Sequence, residues 1–498
     1  MRRSPVMPVA LISIVLLFAV LPAGARAQEP GTLPGPPAHV ILKLEHGDAT
    51  SPSVDLESLG YTRVAVPDGV DPREYLAELQ QLPGVISAEL DVPVEAAFVP
   101  NDTFYASAQA SYLGALDVEE AWDNTSGTAD VVIAIVDTGI DAGHPDLQGA
   151  SWVNPGEIPG DGLDNDGNGC VDDVNGCRFV NSNPICGYSG PTADGFVADD
   201  HGVTGQASHS HGTLAAGIAA ARGNNGVGVT GVAWSARLMS VKVLDCGPLG
   251  TPPTGSMFDV ARAILYATAM GADVINLSLA SQSSSDDIQA LRDAITTART
   301  AGVVVVAAVG NHAGANPGVG FPAAYAGQPA YPNVVAVAAA DNRNGNTHAS
   351  FSNYGPQVTI AAPGYNIAGT VRTAMAPTLA QAYGSETGTS FATPIVSGAF
   401  ALLKARNPNL TPQEMIAIVR SSASPAPGGP TNWAGSGILD VGGAMTRVHA
   451  NLTGVALHNW KDVANGAVVA AVINNTTCGA TNVTSINGVA TFSLRIQA

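Results

Sequence analysis

Val131-Val-Ile-Ala-Ile-Val136 runs directly into Asp137-Thr-Gly-Ile-Asp141, an apolar stretch that ends on a carboxylate and a glycine. Six apolar residues without alternation describe a strand buried on both faces, as in a parallel sheet. Four more runs of this kind follow: Leu238-Met-Ser-Val-Lys-Val-Leu244, Val274-Ile-Asn-Leu-Ser-Leu279, Val303-Val-Val-Val-Ala-Ala308 and Val334-Val-Ala-Val-Ala338. Residues 258–269 and 286–300 between them carry helical spacing. This alternation predicts an α/β fold: a doubly wound, mostly parallel sheet with helices on both faces, over residues 100–446. The functional site of such a sheet lies at the carboxyl ends of its strands.

Outward from this region the chain changes character. Arg2 and Arg3, the short apolar stretch from Val9 to Leu21 and the small-x-small site Ala25-Arg-Ala27 predict a signal peptide over 1–27. That apolar stretch is too short for a comfortable membrane span. A Pro- and Gly-rich linker follows over 28–37. His39-Val-Ile-Leu-Lys-Leu-Glu45 alternates like a strand, Asp71-Pro-Arg-Glu opens like a capped helix, and residues 85–92 close a small α+β unit. About sixty residues are marginal for independent stability. The tail over 447–498 is rich in Thr, Asn and Val, and Asn487-Gly488 between apolar runs predicts a hairpin.

Composition excludes several functions. A formal charge of −20 over 498 residues argues against nucleic acid and anionic membrane as partners. With 46% hydrophobic and 12% charged residues the chain is globular. Export places the protein outside the cell, where its five cysteines can oxidise. Their odd number leaves at least one free or paired between molecules, and spacing does not fix the pairing among Cys170, Cys177, Cys186, Cys246 and Cys478.

Acyl transfer to water needs a nucleophile, a base, a group that orients the base, and donors for an oxyanion. Asp137 ends the first core strand. His211 opens Ser210-His-Gly-Thr-Leu-Ala-Ala-Gly, the start of a tightly packed helix, unlike its neighbours His201 and His209. Ser390 sits in Gly388-Thr-Ser-Phe-Ala-Thr-Pro394 before an apolar run. Asn311 follows a strand in Val309-Gly-Asn-His312. Separately these residues can also be a strand cap, a surface histidine, an N-cap serine and a turn asparagine. In an insertion after the first strand, Asp164, Asp166, Asn168, the Cys170 carbonyl and Asp172 alternate as in a calcium loop, although the closing Glu is missing.

Together the four segments resemble the subtilase family, in its order Asp, His, Ser. The resemblance implies Ser390 as nucleophile, His211 as general base and then acid, Asp137 as orienting carboxylate and Asn311 as oxyanion donor. It implies an inhibitor-type propeptide over 28–99 that also acts as an intramolecular chaperone, polypeptide substrates and a monomeric enzyme. It also implies an S1 pocket lined by Ser278, Leu279, Ala280, Ala308, Gly310 and Gly320, with no acidic residue in those segments. Structural Ca2+ is expected, with a second set of ligands in Asp146, Asn225 and Gln109. Phe391, Ile395 and Leu214 depart from the family's usual residues. A catalytically silent relative that binds peptides is the alternative reading. An esterase is disfavoured, because no Gly-x-Ser-x-Gly elbow occurs.

Overall fold

The computed structural model describes residues 39–44, 60–67, 72–91 and 99–497, apart from 181–192, 200–209, 246–252, 282, 284–286, 314–317, 374–377 and several positions beyond 455. From 449 onward only the backbone is described. The predicted signal peptide, the linker, Cys186, Cys246, His201 and His209 lie outside the described residues. Two compact units emerge: Met1–Ala97 with Asn451–Gln497, and Phe98–Ala450.

In the first unit, β1 (His39–Leu44) lies between β2 (Tyr61–Ala65) and β3 (Val85–Leu90) in an antiparallel sheet. Helix α1 (Pro72–Leu79) precedes β3. The alternation in β1 turns Val40 and Leu42 inward, onto Leu79 and Ala88. In the tail, Thr484–Ile486 pairs antiparallel with Val489–Gln497, Ile486 opposite Val489, which is the register the Asn-Gly dipeptide predicts.

The second unit begins with short helices α2 (Ala110–Gly114) and α3 (Val118–Trp122). Its sheet contains β4 (Val132–Asp137), β5 (Gly176–Arg178), β6 (Arg237–Lys242), β7 (Val274–Leu277), β8 (Val304–Ala308), β9 (Val334–Asp341), β10 (Thr347–His348) and β11 (Ile360–Pro363). The order is β10-β9-β8-β7-β4-β6-β5, with β11 also on β9, and every pairing except β10 with β9 is parallel. All six residues of β4 and all five of β8 are buried, as their uninterrupted apolar runs require. Each fully buried Val or Ile contributes roughly 1.5–3 kcal/mol of transfer free energy.

Between strands lie α4 (His211–Ala220), α5 (Met257–Ala269), α6 (Gln289–Thr300) and α7 (Thr389–Arg406). Helix α4 is buried from Gly212 to Ala220, and α7 from Phe391 to Leu403, so both belong to the core and pack on one another. Gly398 permits that approach, because a Cβ there would lie 3.1 Å from the Ala219 carbonyl and 2.6 Å from Val232. Strands β5 and β11 carried no readable signal: one has three residues and the other ends in proline. Among the described residues no helix is long and apolar enough to cross a membrane.

Candidate active site

The chain reverses its winding at β4, which lies between β7 and β6. Asp137 is the last residue of β4 and His211 the first of α4. The His211 Nδ1 lies 2.8 Å from Asp137 Oδ1 and 2.9 Å from Oδ2. The carboxylate is fully buried and accepts from the Thr138 N–H at 2.7 Å, whereas the imidazole stays 21% exposed. Gly212 makes this approach possible: a Cβ there would fall 2.2 Å from the Gly139 carbonyl and 3.1 Å from Asp137 Cβ. The Gly of His-Gly-Thr therefore serves backbone contact between helix and strand end. Burial pulls the His211 pKa down. The Asp137 charge and hydrogen bond, aided by Asp199 and Glu386, outweigh it and hold the pKa above the ordinary histidine value.

Ser390 lies in the first turn of α7, where backbone N–H groups have no intrahelical partner and the helix field favours negative charge. Its carbonyl accepts from the Ser278 hydroxyl at 2.7 Å. Asn276 donates to that hydroxyl and accepts from Ser397, so three buried side chains brace the start of α7 from beneath. Asn311 Oδ1 accepts from the Thr389 N–H and hydroxyl, both at 2.9 Å. With the oxygen committed to donors, the amide N–H2 is the face of Asn311 left for an oxyanion. Asn353, which the sequence reading missed, holds the turn around Asn311: it accepts from the His312 N–H and donates to the Val309 carbonyl.

A cleft of about 860 Å³ gathers His211, Asn311 and Ser390. Ser278, Leu279, Ala280, Ala308 and Gly310 line it. Gly320 is not among the lining residues: it is buried, with its N–H on the Val309 carbonyl. Leu244, Met257, Val260 and His312 also face the cleft, brought there by long-range folding without a local signal. Pro253–Gly255 forms part of the rim, while 250–252 of the proposed edge segment lie outside the described residues. Phe391 places its ring 5.1 Å from the His211 ring, and Ile395 and Leu214 fill the core.

The acidic insertion folds differently from the simple alternating loop. Glu157, Asp164 and Asp166 bring carboxylate oxygens within 4.8 Å of one another. Asn168 donates to Asp166 at 3.1 Å, while its oxygen accepts from the Cys170 N–H. Asp172 is turned away from this group and accepts from Gly160 and Gly162 N–H. Cys170 is disulfide-bonded to Cys177. Glu157 is 8% exposed; one oxygen accepts from Asn165 and Asp166 N–H, and the other, buried, has no hydrogen-bond partner. A buried carboxylate oxygen without a donor is costly, and a cation meeting it removes the cost. The second expected set is closed by its own hydrogen bonds. Asn225 donates to Asp146 at 3.0 Å, Val229 N–H also binds Asp146, and Gln109 pairs with both backbone groups of Thr230.

An imidazole oriented by a carboxylate, beside a helix-start serine, suits acyl transfer through a serine nucleophile. Residues 128–442 match the profile of the subtilase family. The chain is 32% identical over 381 residues to a thermophilic serine proteinase of Bacillus sp. strain AK1, covering 74% of this chain and 78% of that one. It is 33% identical over 337 residues to thermitase of Thermoactinomyces vulgaris, covering 68% and 96%. An extracellular protease of Xanthomonas campestris is 31% identical over 418 residues, and the match spans 79% of this chain and 65% of that protein's length. A solved protease from Pseudoalteromonas arctica superposes with a TM-score of 0.50 at 29% identity, over 70% of this chain and 99% of that one. The chain belongs to the subtilase family. It is accordingly a serine endopeptidase of the subtilisin-like class, with polypeptides as substrates.

Proposed function

We propose that this subtilase is secreted and hydrolyses proteins through an acyl-enzyme on Ser390. His211 takes the serine proton and returns it to the leaving amine, Asp137 orients and charge-balances the imidazole, and the Asn311 amide with the Ser390 N–H holds the oxyanion. The observation that carries this reading is the cleft in which His211, already on Asp137, meets Asn311 and Ser390. Residues 1–27 serve as signal peptide, and 28–99 as a propeptide that assists folding, inhibits the enzyme and is then removed. The mature enzyme acts as a monomer.

Specificity follows from what the cleft lacks. Among the described residues no Asp or Glu lines it, and Leu244, Met257, Val260 and Ala308 make its walls apolar. A Lys or Arg side chain would lose hydration there without a partnering carboxylate. An apolar P1 side chain gains about 25 cal/mol for each Å² removed from water. Ala280 adds a methyl group to the lining. A peptide-library profile should therefore show broad cleavage after medium apolar and aromatic residues; dominant cleavage after Lys-Arg or Arg-Arg would overturn the assignment.

Calcium is proposed for the insertion loop, with Glu157, Asp164 and Asp166 as the carboxylates that hold it. A ligand that binds only the folded state stabilises by mass action, about 2.7 kcal/mol at a hundredfold excess over Kd. For a unit of this size, with an unfolding entropy of about 2.1 cal/mol/K per residue, that is a rise of roughly 4 °C in Tm. Melting with calcium and with chelator should differ by this amount, and Glu157→Gln should remove the difference. Identical midpoints for the wild-type protein in both conditions contradict the proposal.

A further inference from the structure

Asp199 is a carboxylate, 2% exposed, that none of the catalytic roles above uses. Its Oδ1 accepts from the Thr138 hydroxyl at 3.1 Å, and its Oδ2 accepts from the Thr213 hydroxyl at 2.6 Å and the Thr213 N–H at 3.2 Å. Both threonines are fully buried. The Thr138 oxygen in turn accepts from the Gly212 N–H at 2.9 Å, and the Thr213 oxygen from the Asp141 N–H at 3.0 Å.

These contacts fix the direction of both threonine hydroxyl protons. Each threonine oxygen already receives a backbone N–H, so its single hydroxyl proton goes to Asp199. Thr138 adjoins Asp137 at the end of β4, while Gly212 and Thr213 adjoin His211 at the start of α4. One carboxylate thus joins the two elements whose separation sets the Asp137–His211 hydrogen bond. Lys242 sits opposite Asp137 in the pairing of β4 with β6, is fully buried, and donates to the Thr138 carbonyl at 2.5 Å.

We propose that Asp199 is a positioning residue for the catalytic pair: it locks Thr138 to Gly212 and Thr213, and adds its negative charge to the field in which His211 acts as base. This rests on the proposed triad. Burial pushes the Asp199 carboxyl up to about 7, and Asp137 adds to that rise. The fields of Lys242 and Arg372, with the Thr213 hydrogen bond, oppose it. Asp199 in turn raises the His211 pKa, alongside Asp137 and Glu386.

Asp199→Asn tests the wiring at the cost of one atom, because the amide N–H2 meets a hydroxyl whose proton already points at it. In the mature enzyme, kcat on an apolar-P1 peptide should fall roughly 10–100-fold, the scale of small misplacements, with KM changed less than about threefold. The acid limb of kcat/KM should move to lower pH, because His211 loses a charge that raises its pKa. A purely structural role would reduce the yield of folded enzyme and leave that limb in place. Thr138→Val and Thr213→Val each remove one arm and keep the charge; both should lower kcat without moving the limb. A folded Asp199→Asn enzyme with unchanged kcat and acid limb overturns the proposal. If Asp199→Asn does not fold, wild-type kcat in both threonine variants overturns it instead. Failure of the triad reading would show separately, as proteolysis by a Ser390→Ala enzyme.

Discussion

Ser390→Ala should yield a folded chain that no longer cleaves casein. The change removes one hydroxyl from the first turn of α7 and leaves the Ser390 carbonyl on Ser278 and the Thr389 groups on Asn311. The expected loss is on the order of 10⁶ in kcat, the size that removing the nucleophile has in subtilisin. What remains is the oxyanion donors and substrate binding, which still accelerate hydrolysis over water by roughly 10³–10⁴. If the propeptide is cut by the enzyme itself, the variant should also accumulate as an uncut precursor. Normal proteolysis by this variant would remove Ser390 from the mechanism.

Asp137→Asn is the second large effect, about 10⁴ in kcat. The carboxylate accepts the Nδ1–H of His211, which leaves Nε2 as the basic nitrogen of the imidazole. An amide at the same place can offer N–H instead, favouring the wrong tautomer while the Thr138 contact persists. The pH profile carries the sign. His211 must be neutral to act as base, and its pKa is raised, so wild-type activity falls as pH drops through that raised value. Without the Asp137 charge the pKa falls, and the residual activity should have its acid limb at lower pH. A limb that stays in place or moves upward would argue against this carboxylate as the source of the shift.

The fold was legible because its strands are buried on both faces. Residues such as 132–136 and 304–308 leave no room for a solvent-facing alternation, so their sequence carries the architecture directly. Asp137, His211, Asn311 and Ser390 were legible for a related reason. Each sits where a strand ends or a helix begins, and close packing there requires small neighbours: Gly212 against Gly139, and Gly388 near the Asn311 amide. What stayed hidden depends on contacts distant in sequence. Glu157 joins Asp164 and Asp166 across a turn, Asn353 reaches the Asn311 turn, and Asp199 reaches Thr138. Each is one polar residue in a loop, and a loop carboxylate or amide has no periodicity to read. Gly320, by contrast, is buried with its N–H on the Val309 carbonyl, next to Phe321, which is bridged to Ser281.

The most direct measurement is the site of modification by a fluorophosphonate, which phosphonylates an activated serine hydroxyl with loss of fluoride. The casein-cleaving enzyme is titrated with the reagent, activity is followed, and the modified peptide is mapped by mass spectrometry. One phosphonyl group per molecule on Ser390, gained in proportion to the activity lost, is the predicted result. Modification of another serine in step with inactivation, or full activity with Ser390 modified, would contradict the account.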